Sequence, residues 1–157
     1  LIDTLIYIDP SVNAIIAKAK YLRAQKKFSE AISTLKEAKG LADAEQKEEI
    51  EYMILDVMYS DQKNYKGAYG VAMDISGKYK STALKMAAGA VAQTANSCGS
   101  STFERKANYL YAAQLADRAG DSGAAARYRN SGPTDGDWFE AGVSSVTLSC
   151  WGVTVSK

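Results

Sequence analysis

Cys98 and Cys150 are the only cysteines in a chain of 157 residues that contains no histidine. Without imidazole there is no serine–histidine or cysteine–histidine nucleophile pair and no histidine metal site. Two thiols are too few for a four-thiolate zinc site or a disulfide-rich scaffold. Two readings stay open for them. In an exported protein they form one disulfide that pins the tail to the helices and stabilises by about 2–4 kcal/mol. In a reducing compartment they are two buried, unreactive thiols.

Three other clusters carry charge or a motif-like spacing. The segment Ser76–Thr82 (SGKYKST) resembles a phosphate loop only superficially. That loop needs four residues between its glycines and a Ser or Thr directly after the lysine. Here Gly70 and Gly77 have six residues between them and Tyr79 follows Lys78, so a helix end and linker is the better reading. Glu48, Glu49 and Glu51 fall near the start of a helical stretch, where the helix dipole favours negative charge. Nothing around them supplies a calcium loop or an apolar pocket, so they read as a solvated face. Lys20, Arg23, Lys26 and Lys27 gather around one turn, where Lys and Arg can hold a carboxylate, Arg with paired hydrogen bonds.

The composition limits the function classes further. The chain is 46% hydrophobic and 24% charged, with a net charge of +1, which is ordinary for a globular domain. Its charges are interspersed, without the basic stripe a nucleic-acid platform needs. No apolar run approaches the ~20 residues of a membrane-spanning helix. No constellation of titratable groups marks an active site, so the expectation is a protein that is not an enzyme and uses no cofactor or metal.

The elements are those of paired helices. Leu1–Ile8 has apolar residues at Leu1, Leu5 and Ile8 and reads as the last turns of a helix, a short strand being the alternative. Asp9 and Pro10 suit the start of the next. Ile15, Ala19 and Leu22 stripe a first full helix. After a turn at Lys26–Lys27, Phe28, Ala31, Leu35 and Ala38 stripe a second. Asp43 and Gln46 form a capping-box pattern opening a third, with Tyr52, Leu55 and Tyr59. Tyr65, Ala68, Ala72 and Ile75 mark a fourth. The stripe from Phe28 to Ala38 recurs there 37 residues later. Ser81–Ser97 is rich in Ala and Gly and should pack closely. Ser101 and Glu104 form a second capping-box pattern opening a long helix to about Ala119, and a short helix follows from Ala124. Asp135–Gly136–Asp137 reads as loop. Val143–Val155 alternates like one strand, with a kink at Cys150–Trp151. Trp138, Phe139 and Trp151 serve either as an aromatic binding platform or as anchors of the chain end.

A fixed repeat of helix pairs with small residues at set places resembles the tetratricopeptide repeat. Ile15 stands where that family usually has Trp, and Ala19, Leu22, Phe28, Ala31, Leu35 and Ala38 follow its pattern. The second copy departs at Asp56, where a small residue is usual. Ile8–Asp9–Pro10 resembles a repeat ending and implies an upstream hairpin. The NSCG and LSCWG segments are similar to a group of bacterial cell-envelope tetratricopeptide proteins, which implies export.

The resemblance implies an all-α fold: about three and a half antiparallel hairpins stacked as a solenoid over residues 1–131, with 132–157 a loop and a strand-like tail packed on the helices. It implies that the first helix of each hairpin lines a concave groove. Asn13, Ile16, Lys20 and Arg23 would face Ile50, Met53, Val57 and Asp61 across it. The function expected is a non-catalytic scaffold binding a peptide or partner protein there. The alternative is a structural subunit of a larger cell-envelope or surface assembly, oligomeric through its ends or its C-terminal strand. Neither nucleic acid nor a membrane span is expected, and a periplasmic or cell-envelope location is favoured over a cytoplasmic one.

Overall fold

The computed structural model describes residues 3–4 and 11–157. Most of the turns expected over Leu1–Ile8, and the Asp9–Pro10 helix start, lie outside the described residues. Among these the chain is mostly helical: α1 (Val12–Ala24), α2 (Phe28–Leu41), α3 (Ala44–Asp56), α4 (Tyr65–Asp74), α5 (Lys80–Thr94), α6 (Thr102–Arg118), α7 (Ser122–Ser131) and α8 (Asp135–Ala141). A π-turn, Val57–Asp61, continues α3, and single 3-10 turns occupy Gly77–Tyr79 and Ala95–Ser97. Strands β1 (Ser145–Leu148) and β2 (Val153–Ser156) close the chain. The chain forms two compact units, residues 1–79 and 80–157. The division lies inside the 1–131 stretch, and residues 132–157 belong with α5–α7 in the second unit.

Short polar side chains start most of the helices, because a side-chain oxygen can take one of the backbone N–H groups that a first turn leaves unpaired. Ser11 Oγ accepts from Ala14 N at 3.3 Å, so it is Ser11 that caps α1, where the sequence suggested Asp9. The expected Asp43–Gln46 capping box is complete, with bonds of 2.8 and 3.1 Å. Asn64 caps α4 and Asp121 caps α7 in the same way.

In the first unit, α1 packs on α2, α2 on α3 and α3 on α4. Its core joins Ile15, Ala19, Leu35, Ala38, Ala42, Ile50 and Ile54. The 37-residue recurrence is visible in the backbone. Among the described residues, the two non-glycine residues at positive φ are Lys26 and Lys63, at +60° and +54°. Each sits in the turn before the second helix of a pair. From those turns onward the match holds: Ala31, Leu35 and Ala38 are buried, as are Ala68, Ala72 and Ile75. Ahead of the turns it fails. Tyr52, Asp56 and Tyr59, matched to Ile15, Ala19 and Leu22, are only half-buried, while Ile50, Ile54, Leu55 and Val57 fill the core. The π-turn is the reason, since its wider turn takes up an extra residue and puts α3 out of phase with α1.

In the second unit α6 is the central helix. It packs between α5 and α7 and carries α8, β1 and β2. Alanines meet along this seam, among them Ala83, Ala87, Ala107, Ala112, Ala116 and Ala125, all fully buried. Side chains this small let helix backbones approach closely, as the composition of Ser81–Ser97 suggests; the same seam runs through α6. Two elements differ from expectation. Asp135–Gly136–Asp137 is the first turn of α8 instead of loop, because Thr134 and Asp137 form a capping box. The tail is two antiparallel strands instead of one kinked strand, with Val146 opposite Val155 and Leu148 opposite Val153. Ser149–Gly152 is their turn, and Gly152, at φ +64°, takes the left-handed conformation that closes it. Pairing within the tail supplies the neighbour that a lone strand lacks.

Candidate functional site

Two places combine polar chemistry with a defined geometry, one in each unit. The first is the face shared by α1 and α3. Lys20, Arg23, Met53 and Val57, all named from the sequence, come together there with Ala19 and Leu35 around a small cavity of about 80 Å³. The floor is apolar, and Lys20 and Arg23 supply the charge at its edge.

Arg23 is not free to hold a ligand carboxylate as the sequence suggested. Its Nη1 lies 2.8 Å from Asp56 Oδ2 and its Nε 2.6 Å from Asp61 Oδ2. Partial burial works against the charged guanidinium, but the two carboxylates outweigh it and raise its pKa above the ordinary arginine value. The π-turn makes this double grip possible. Five residues along an α-helix rotate a side chain by about 500°, leaving the fifth about 140° away from the first. In a π-turn, residues five apart lie nearly above one another, so Asp56 and Asp61 reach the same group. Asp56 Oδ1 also accepts a 2.8 Å bond from Ser60 Oγ. The acidic residue that breaks the repeat pattern is therefore half of an arginine clamp.

The remaining groove candidates separate. Lys20 is exposed and makes no ion pair among the described residues. Asn13 is exposed, and Ile16 and Met53 are partly buried against the core. Ile50 is fully buried in that core and Val57 is buried at the cavity floor, so neither presents an open groove surface. The acidic cluster near the start of α3 is held by neighbours in its own unit: Glu51 Oε1 lies 2.6 Å from Lys39 Nζ, and Glu48 covers Gly77. The SGKYKST segment forms the 3-10 turn Gly77–Tyr79, where Tyr79 stacks on Tyr52 with ring centroids 4.7 Å apart. A larger open cleft of about 670 Å³ lies beside the α1–α2 turn, around Tyr21, Lys18 and Lys27. Lys18 is paired there with Asp3 at 2.7 Å.

The second place is where the hairpin turn meets the start of α6. Cys98 and Cys150 are joined as a disulfide, with Cα atoms 5.6 Å apart. Beside it, Glu104 is 7% exposed and divides its carboxylate between two loops. Oε2 accepts from Ser100 N and Oγ at 2.8 and 3.1 Å, and Oε1 accepts from Ser149 N and Oγ at 2.8 and 2.6 Å. The Ser149 donors, with the Ser100 N–H, outweigh burial and hold the Glu104 pKa at about 2. One turn further along, Asn108 Nδ2 donates to the Cys98 carbonyl at 2.7 Å, while Asn108 Oδ1 accepts from Trp151 Nε1 at 2.9 Å.

This arrangement corrects the capping-box reading of Ser101 and Glu104. Ser101 Oγ does accept from Glu104 N at 3.0 Å, but the Glu104 side chain goes to Ser100 and Ser149 instead of back to the Ser101 N–H. Sequence reasoning missed Glu104, Asn108 and Ser149 as one network. The available signal was a Glu and an Asn one helical turn apart, placed just after a cysteine loop. Trp138 and Trp151 act as anchors: Trp138 is buried edge-on to Phe103 at 4.9 Å, and Trp151 is tied to Asn108. Phe139 is different, at 87% exposed.

No described helix is long and apolar enough to cross a membrane. Comparison with protein-family models, curated proteins and solved structures returns no match.

Proposed function

We propose that this chain is a non-catalytic interaction module of tetratricopeptide-like build that takes a peptide or partner surface on the α1/α3 face. The observation that carries the reading is the small apolar cavity of Ala19, Leu35, Met53 and Val57 with uncommitted Lys20 at its edge. Such a notch accepts one small aliphatic side chain, and the adjacent ammonium favours an acidic group next to it. Arg23 contributes rigidity, because the Asp56–Arg23–Asp61 clamp fastens α1 to the end of α3. Duplicated turns at Lys26 and Lys63, and a buried alanine at the matching places Ala31 in α2 and Ala68 in α4, favour the repeat reading.

Peptides selected on the wild-type chain from a displayed random library test this. Lys20→Glu and Met53→Asp should each abolish capture of the selected sequences, while Lys36→Glu on α2 should leave it intact. Equal capture by all four proteins would remove this face as the site.

A second reading, a structural subunit, is favoured by a different observation. Phe139 and Val143 are exposed large apolar residues beside the hairpin, and side chains of that kind mark contact surfaces when grouped. Light scattering over a concentration series separates the two readings. A subunit should grow in mass with concentration and lose that growth with Phe139→Ser; a module should stay at one mass.

A further inference from the structure

Both ends of the disulfide are gripped by groups other than sulfur. Glu104 holds Ser100, two residues after Cys98, and Ser149, the residue before Cys150. Asn108 holds the Cys98 carbonyl and the indole of Trp151, the residue after Cys150. The two cysteine loops are thus bracketed on both sides by one face of α6, with Glu104 and Asn108 both almost fully buried. Charge-assisted bonds to a carboxylate are the stronger kind, and buried donors and acceptors that lost these partners would be left unpaired at a cost.

We propose that Glu104 and Asn108 are a template for the Cys98–Cys150 bond: they seat the hairpin turn against the Cys98 loop whether or not the sulfurs are joined, and so act as positioning residues for a reversible redox latch. In the reduced chain the two thiols stay side by side. A small-molecule disulfide, such as oxidised glutathione, supplies the oxidant. One thiolate attacks it, forming a mixed disulfide and releasing one reduced thiol. The second cysteine, as thiolate, then displaces the other reduced thiol and closes the Cys98–Cys150 bond. Two protons leave the cysteines, and the two electrons end on two molecules of glutathione. Cys98 is 6% exposed and Cys150 is more open, so the mixed disulfide forms on Cys150 and Cys98 closes it.

The test uses the full chain equilibrated in buffers of reduced and oxidised glutathione, quenched with a thiol alkylator and read by mass spectrometry. The effective concentration of the thiol pair should fall about ten-fold or more in Glu104→Gln and in Asn108→Ala, the scale of one or two lost charge-assisted or buried hydrogen bonds. Val91→Ala, a core truncation within α5 and outside both cysteine loops, should leave it close to wild type. An unchanged value in both template variants, or an equal fall in Val91→Ala, would overturn the proposal. A second measurement needs no variant. In the reduced wild type, the Ser149 amide and the Trp151 indole N–H should keep their slow hydrogen exchange. Loss of that protection on reduction would show that sulfur alone seats the turn.

Discussion

The two units solve the same packing problem with different side chains. In residues 1–79 the described core is built mainly from branched residues, Ile15, Leu35, Ile50, Ile54 and Leu55, with alanines as notches between them. In residues 80–157 alanine makes up most of the buried apolar positions, concentrated around α6. Alanine permits close backbone approach but removes little apolar surface from water per residue. The second unit adds what its seam lacks: a disulfide, a split carboxylate and a buried amide, all where the chain end meets α6. Both units carry ion pairs at the surface; in the first, one cation, Arg23, takes two carboxylates. The alanine-rich seam and the polar cross-links therefore occur together in the second unit, whereas the first joins its helices through branched side chains and a shared arginine.

The contrast breaks first on core volume. Leu35→Ala in α2 should cost about 2–5 kcal/mol through the cavity it leaves, whereas Ala112→Leu in α6 should be harmful for the opposite reason, by overfilling the seam. Slow amide exchange in α2 and in α6 reads the two effects separately. If Ala112→Leu were neutral, the seam would not be closely packed.

Removal of the disulfide comes next. Cys98→Ser with Cys150→Ser should lower the stability of the second unit by about 2–4 kcal/mol, mainly through the freed unfolded chain, with the hairpin still seated. Trp138 and Trp151 are the only tryptophans, so fluorescence during urea unfolding reports this unit alone.

Acid should then weaken the same unit. The Glu104 pKa lies at about 2 when folded, against an ordinary 4.5. The folded state thus binds this proton more weakly than the unfolded one. The resulting stability, on the order of 3 kcal/mol, is present above about pH 4.5 and drains away as the pH falls toward 2. Asp137 shifts in the same direction, held first by the Thr134 N–H and then by Lys106. Glu104→Gln should flatten most of the acid-dependent loss seen by tryptophan fluorescence; an unchanged acid profile would place the stabilising carboxylate elsewhere.

The smallest effect belongs to the first unit. Asp61→Asn should cost less than about 1 kcal/mol in thermal unfolding, because Arg23 keeps Asp56 and both partners are partly solvated. A larger loss would make the clamp a core element and blur the contrast drawn above.

Much of this was legible from the residues alone, and the failures have physical causes. The helices of the first unit follow from apolar stripes, and the Asp43–Gln46 box from a local pattern that needs no tertiary partner. Four of the six residues around the small cavity, Lys20, Arg23, Met53 and Val57, are among those that the repeat resemblance implies for a groove. Ile50 was placed in the groove because it shares a helical face with Met53 and Val57, but its side chain is taken into the core. Thr134–Asp137 was missed because Asp-Gly-Asp suits a turn as well as a first helical turn, and the box depends on the residue before it. Glu104 looked like a local cap, since its second partner, Ser149, lies 45 residues away. Alternation gave the β character of the tail, but a glycine that closes a turn and one that marks a bulge look alike in one dimension.

The π-turn also sets how the chain tolerates a change in length. A one-residue deletion between Asp56 and Asp61 would let the segment relax into ordinary α geometry, the wide turn giving up the residue it now accommodates. The two aspartates would then stand four residues apart, about 40° from alignment, so both could still reach Arg23. A point substitution in the same stretch leaves the phase alone. Here, then, one residue of length can be given up while the clamp is kept, whereas neither Asp56 nor Asp61 can be exchanged without loosening it.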